Sequence, residues 1–208
     1  MPRLLLVRHA ETEHNRLKVL QGQASAPNVI SAAGERQARA CGRALAALEL
    51  PDPRVYASTY RRAQQTAGAI ADALGTGVTV LDGLQEMDVG SWAGRPYHAL
   101  EVGAAQIRHD DGTFGFAGGE SEGQVRARLR AAVARALARG GTPILVSHGL
   151  ALQAALCDLL AVPFDDAWAD GRYAHRNTAV TELEGEAGHW RVVRVADGEH
   201  LEGGGQEE

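Results

Sequence analysis

The sequence predicts an α/β protein, a three-layer α/β/α sandwich around a mostly parallel mixed sheet. Three observations predict it. Short apolar runs alternate with longer segments of helical period. Three of these runs pass directly into basic or hydroxyl-bearing residues, and in an open parallel sheet ligands bind at the carboxyl ends of the strands. The last two runs flank a glycine turn, as an antiparallel hairpin requires.

The first strand is Leu4-Leu5-Leu6-Val7. An irregular stretch with Asn15, Gln21-Gly22 and Pro27 leads to a helix over 34–48, stopped by Pro51 and Pro53. Val55-Tyr56-Ala57 is a short strand. A helix over 60–74 follows, with Ala63, Ala67, Ile70 and Leu74 on one face and Gly75 as its stop. A strand is expected at 78–81. Glycines then break the pattern up to residue 119, with a short helix expected over 97–109. Ser121-x-x-Gln124 opens a long helix to 139 as a capping box. A strand over 143–147, a helix over 150–160 and strands over 179–183 and 190–195 complete the chain. Residues 1–198 read as one domain with a small cap near 94–118, and 199–208 as a disordered tail.

The 208 residues suffice for one substantial core. No apolar run approaches the roughly twenty residues of a membrane span, and the start is too short for a signal peptide. Cys41 and Cys157 both fall inside helical patterns, so no disulfide scaffold is expected and the expected location is cytoplasmic. A net charge of −5 argues against nucleic acid or an anionic membrane as partner. There is no zinc-type H-E-x-x-H or paired C-x-x-C spacing, and no Walker-type loop. Neither a metal nor a cofactor is expected.

Three strand ends carry the chemistry: 4–7 into Arg8-His9, 55–57 into Ser58-Thr59-Tyr60-Arg61-Arg62, and 144–146 into Ser147-His148-Gly149. On one edge of a parallel sheet they bring together two histidines and up to three arginines. A bound phosphate is a common cause for three basic signatures in an acidic protein. The residues alone leave open whether Arg61 or Arg62 belongs there, and whether Glu86 or Asp88 is the acid. Ser58 or Thr59 is expected to cap the following helix. His14, His98, His109, His175, His189 and His200 have no partner signature and read as surface histidines, and Trp92 as core or pocket wall.

In sequence order, the chain carries Arg8-His9-Ala10-Glu11-Thr12-x-x-Asn15, Gln21-Gly22, Ser58-x-x-x-Arg62-Ala63-x-Gln65-Thr66-Ala67, Glu86-x-x-x-Gly90-x-Trp92-x-Gly94, Gly118-Gly119-Glu120-Ser121 and Val146-Ser147-His148-Gly149. With these it resembles the histidine phosphatase superfamily, also called phosphoglycerate mutase-like. The resemblance implies that His9 is the phosphorylated nucleophile, that Arg8, Arg62 and His148 clamp the phosphate, and that Asn15 and, beside it, the Gln21-Gly22 backbone add contacts. It makes Glu86 the proton donor. In that chemistry a neutral imidazole attacks phosphorus, Arg8, Arg62 and a protonated His148 balance the charge on the transferring group, and Glu86 protonates the leaving alkoxide. Such a carboxylate must be partly desolvated or close to the phosphate charge.

Ala10 replaces the glycine usual after the nucleophile, Ala24-Ser25-Ala26-Pro27-Asn28 departs from the usual loop sequence, and Ala93 stands where an acid often does. The run from Glu86 to Trp92 has the short phosphatase form, without the basic run of cofactor-dependent phosphoglycerate mutases. The expected function is therefore hydrolysis of a small phosphorylated metabolite. A mutase is the alternative, and a catalytically inactive phospho-ligand binding protein is less favoured because His9, Glu86 and His148 are all present. Tyr97, His98, Arg108, His109, Phe114 and Phe116 in the cap are the expected substrate selectors. A homodimer is compatible with the sequence.

Overall fold

The computed structural model describes residues 2–102, 106–186 and 188–202. The elements are β1 (Arg3–Arg8), α1 (Glu13–Arg16), α2 (Ala32–Ala46), β2 (Pro53–Ala57), α3 (Arg61–Leu74), β3 (Val78–Val80), β4 (Gln106–Arg108), β5 (Phe114–Phe116), α4 (Glu122–Leu137), β6 (Thr142–Ser147), α5 (Gly149–Leu159), α6 (Phe164–Asp170), β7 (Val180–Glu186) and β8 (His189–Asp197). The main sheet has the order β3-β2-β6-β1-β7-β8. Its first four strands are mutually parallel, β7 runs antiparallel to β1, and β8 runs antiparallel to β7.

β1 shows why its apolar run is continuous. It lies between β6 and β7 with both faces covered, so neither face can be polar. Alternate side chains serve opposite layers. Leu5 and Val7 pack with Cys41, Leu45 and Ile70 of α2 and α3, whereas Leu4 and Leu6 join Val125, Leu129, Leu152 and Leu156 of α4 and α5. Both cysteines are buried and free, one in each helical layer. Register then builds the functional edge. Arg8 pairs with Ser147 and Ala57 with Val146, so the carboxyl ends of β1, β2 and β6 finish level. His9 N–H donates to the Ser147 carbonyl (2.9 Å) and Ser58 N–H to that of Val146 (3.0 Å).

The long-helix capping box is present: Ser121 Oγ accepts from Gln124 N–H (3.1 Å), and Gln124 Oε1 from Ser121 N–H (2.9 Å). The cap departs from expectation. In place of a helix over 97–109 there is a 3-10 turn, Tyr97–Val102, and then β4, paired antiparallel with β5. Asp111 accepts from both Thr113 N–H and its hydroxyl, and Gly112 takes φ +74°, which sets a hairpin turn where a helix would have to continue. Helix α6 was not anticipated, although Pro163 before it, Asp165 and Asp166 in its first turn and Gly171 at its stop all signal it. The segment read as a tail begins with a 3-10 turn, Glu199–Leu201, tied down by a 3.0 Å bond between His200 Nε2 and Thr178 Oγ1. Residues 203–208 of that tail lie outside the described residues, as do 103–105 of the cap. Among the described residues no helix is long and apolar enough to cross a membrane.

Candidate active site

A cleft of about 340 Å³ opens at the carboxyl edge of the sheet, and Arg8, His9, Asn15, Gln21, Arg62 and Glu86 line it. A larger surface groove of about 630 Å³ lies between α2 and α3, away from this edge, and holds none of these residues. His9 is 2% exposed. Its Nδ1 sits 2.8 Å from the Ala10 carbonyl, which can only accept, so Nδ1 carries the hydrogen. Nε2 faces Arg62 Nε–H at 3.2 Å and is therefore the lone-pair nitrogen. Burial first, then Arg62 and Arg8, push the His9 pKa well below the usual 6.5, against the pull of the Ala10 carbonyl. The result is a neutral imidazole with a fixed tautomer.

Between the two candidate arginines the structure selects Arg62, which is fully buried while Arg61 is exposed. Arg62 Nη1 donates to the Ser25 carbonyl (3.0 Å), and the guanidinium lies 4.9 Å over the Tyr60 ring. Burial lowers its pKa to about 10, which leaves it charged at neutral pH. Arg8 Nη1 donates to the His175 carbonyl (2.6 Å), while its Nε is buried without a partner among the described residues. Ser58 does not cap through the expected geometry, because α3 begins at Arg61 and Tyr60 is its N-cap residue. Its Oγ instead accepts from Tyr60 N–H (3.2 Å) and meets His148 Nε2 at 2.9 Å.

His148 lies behind His9, with ring centroids 5.1 Å apart, and is completely buried rather than on the cleft wall. Burial, then Arg62, His9 and Arg8, push its pKa well below 6.5. Without a phosphate these surroundings favour the neutral ring; the expected protonated His148 refers to the phosphate-bound site. With Ser58 Oγ occupied as an acceptor from Tyr60, its hydroxyl proton is free to go to Nε2. Nδ1 then bears the hydrogen, and it is buried without a partner among the described residues.

Glu86 enters from the loop after β3. Its Oε1 accepts from Met87 N–H (2.9 Å) and Ala151 N–H (2.9 Å), and Oε2 from Leu150 N–H (3.3 Å), so it docks on the first turn of α5. Asp88 serves its own turn, accepting from Gly90 N–H at 2.9 Å. Gly90 has φ +52°, and a Cβ there would meet the Ala117 carbonyl at 2.4 Å, which accounts for glycine in the motif. Sequence reasoning missed the clamp on this loop. Arg128 donates to the carbonyls of Gly83, Gln85 and Glu86 (3.1, 2.7 and 3.0 Å) and pairs in bidentate fashion with Glu120. Glu120 in turn accepts from Asp88 N–H at 2.9 Å.

Asn15 accepts from Thr12 and donates to the Tyr97 hydroxyl (3.3 Å). Gln21 lines the cleft with Oε1 buried and unpartnered among the described residues. Gly22 is off the cleft wall, packed against Ala93, with its carbonyl accepting from Ser25 N–H (3.0 Å). Of the expected selectors only Tyr97 lines the cleft. Phe114 and Phe116 are core, His109 Nε2 sits 3.2 Å from the Phe116 carbonyl, Arg108 pairs with Asp165, and His98 is exposed. The hairpin that replaced the expected helix turns these residues away. Two further residues were missed. Asn177 donates to the His9 carbonyl (2.9 Å), and His175, read as a surface residue, is 4% exposed beneath Arg8.

A sequence profile of the histidine phosphatase superfamily (branch 1) matches residues 4–198. A probable phosphoglycerate mutase GpmB from Salmonella paratyphi C (strain RKS4594) is 32% identical over 213 residues, spanning 97% of this chain and 96% of that protein. A mycobacterial glucosyl-3-phosphoglycerate phosphatase solved in complex with VO3 superposes with a TM-score of 0.78 at 27% identity, covering 95% of this chain and all of that one (100%). Phosphoserine phosphatase from Entamoeba histolytica, solved with 3-phosphoglyceric acid, has a TM-score of 0.79 at 24% identity over 97% of this chain and 100% of its own, and shares the fold.

Proposed function

The chain belongs to the histidine phosphatase superfamily, and from that premise we propose that it is a metal-independent phosphomonoester hydrolase working through a phosphohistidine at His9. The observation that carries this reading is the His9 ring: Nδ1–H held by the Ala10 carbonyl, Nε2 bearing the lone pair, and two cations beside it. In the first step Nε2 attacks phosphorus while the ester P–O bond breaks, and the leaving oxygen takes the electron pair and a proton from Glu86. Arg8, Arg62 and the Nδ1–H of His148 supply donors to the three phosphoryl oxygens. In the second step water attacks phosphorus and gives its proton to the Glu86 carboxylate. The N–P bond breaks, its pair returns to Nε2, and phosphate leaves. A bound phosphate dianion adds negative charge beside His148 and so favours its protonated form, the reverse of what Arg62 and Arg8 do alone.

The 32%-identical relative carries the name of a probable mutase. Hydrolysis is the reading favoured here because the run from Glu86 to Trp92 is short and holds no basic residue to grip a second phosphate. The VO3 complex of the mycobacterial phosphatase supports vanadate as an inhibitor to test. The purified chain should release phosphate from 4-nitrophenyl phosphate and from a panel of phosphomonoesters, with acid-quenched label on His9. Label on another residue, or transfer between phosphoglycerates outpacing phosphate release, would refute the assignment.

A further inference from the structure

Away from the reacting centre the cleft changes character. Its outer wall is Leu20, Val89, Tyr97, Leu150 and Trp168. The charged groups on the lining, Arg8, Arg62 and Glu86, all belong to the phosphate chemistry. His175 also borders the cleft, but its ring is occupied on both sides, by the Tyr173 carbonyl and Thr181 Oγ1 (both 2.8 Å), and burial lowers its pKa to about 4.

Nearby cations are committed elsewhere or outside. Arg95 stacks over Trp92 at 4.4 Å, Arg108 pairs with Asp165, and Lys18 is exposed and off the lining. The sequence of the cap stretch 99–107 contains no Lys, Arg or His. Trp168 is positioned before any ligand arrives, because its indole stacks on Phe164 (6.1 Å, 20°) and lies 5.4 Å from Phe114. On α5, Gln153 is 5% exposed, borders the cleft, and has its amide nitrogen unpartnered among the described residues.

We infer that this wall selects phosphomonoesters of uncharged, apolar or aromatic alcohols, with Trp168 and Leu150 seating the alcohol portion and the Gln153 amide meeting a hydroxyl or carbonyl on it. The inference rests on the phosphomonoesterase reading above and narrows it. A phosphorylated hydroxy acid would place its carboxylate against apolar side chains and near Glu86, with no cation on the described lining besides Arg8 and Arg62, which hold the phosphate, and the lost hydration has no compensation. An aromatic alcohol loses no hydrogen bonds there and buries its ring.

The test compares esters of aliphatic alcohols, so that leaving-group chemistry does not decide the outcome: 2-phenylethyl phosphate against 3-phosphoglycerate and phosphoserine. The kcat/KM ratio should favour the phenylethyl ester by at least about tenfold, through KM, since single apolar contacts in such pockets are worth about 10–200-fold. Trp168→Ala should lower that ratio several-fold, and Leu150→Arg should shift it toward 3-phosphoglycerate. A ratio measured within one preparation is independent of the fraction folded, so a poorly folding variant still reports. Hydrolysis of 4-nitrophenyl phosphate combined with equal or better use of 3-phosphoglycerate would overturn this inference alone. So would an unchanged ratio in Trp168→Ala. Hydrolysis of no ester at all would remove the phosphomonoesterase reading and this inference with it.

Discussion

Exchanging Glu86 for glutamine removes the proposed proton donor and keeps most of what holds it in place. A glutamine oxygen can still accept from Met87 and Ala151, but its NH2 group faces Leu150 N–H, whose 3.3 Å bond is lost. One long hydrogen bond is worth about 1 kcal/mol, so Tm should fall by only about 2–4 °C for a chain of this size. The catalytic loss should be far larger. General acid assistance contributes about 10²–10⁴-fold, or about 2.7–5.4 kcal/mol of barrier, where the leaving group is an alkoxide. Nitrophenolate needs little protonation, so 4-nitrophenyl phosphate should lose no more than about tenfold. Asp88→Asn is the matched control, since its carboxylate serves Gly90 N–H and it does not line the cleft. The assay is kcat/KM for 4-nitrophenyl and alkyl phosphates across the pH profile, with thermal melts alongside. Glu86→Gln should flatten the limb that reports the acid for alkyl esters. Equal losses on both ester classes, or the larger effect from Asp88→Asn, would refute the assignment.

Four further outcomes are expected. His9→Ala should abolish turnover and leave the circular dichroism spectrum native, with a stability loss of about 1–3 kcal/mol from the unpaired Arg62 Nε–H and Ala10 carbonyl. Arg128→Ala frees three loop carbonyls and Glu120 at once, so alkyl-ester activity should fall more than nitrophenyl-ester activity; equal falls would limit Arg128 to a stability role. The proposed phosphate clamp draws its charge from Arg8 and Arg62, and no group of three His, Cys, Asp or Glu among the described residues could hold a metal ion. Activity should therefore survive excess chelator and be inhibited by vanadate, and loss on chelation with recovery on metal addition would contradict the mechanism. His175 is neutral in the fold to about pH 4 but titrates near 6.5 when unfolded. The unfolded chain thus binds more protons between these values, and stability present above pH 6.5 is lost as pH falls toward 4, by up to about 3 kcal/mol from this residue; urea midpoints in His175→Gln should depend less on pH across that window.

The site was legible in the sequence where chemistry sits at the end of a strand. Arg8, His9, Ser147 and His148 follow apolar runs that could only be buried strands, and parallel register does the rest. Arg62 needed the family motif, because its neighbour Arg61 is chemically identical and only the helix rotation separates buried from exposed. Glu86 needed it too, as nothing local distinguishes it from Asp88. What stayed hidden depends on contacts made across the fold. Arg128 occupies a position on α4 that reads as a solvated face, and only the fold brings over it three loop carbonyls and the Glu120 carboxylate. His175 and Asn177 sit in a short connection before β7 with no periodicity to show that it runs beneath the site. The cap failed differently: Gly112 and Gly115, among the glycines that argued for irregular structure, belong to a hairpin, and its two phenylalanines pack inward rather than toward substrate.

The position of β1 has a consequence for how the enzyme comes into being. Both sheet neighbours of this strand come much later in the sequence: Leu5 pairs with Ile144 on one side and Glu182 on the other. Contacts of such long sequence separation form slowly, after a large loss of chain entropy. The segment carrying Arg8 and His9 therefore gains its first strand partner only with β6 and its second only with β7. The proposed nucleophile His9 thus meets the groups that hold it, the Ser147 carbonyl and the Asn177 amide, only once these later segments have docked.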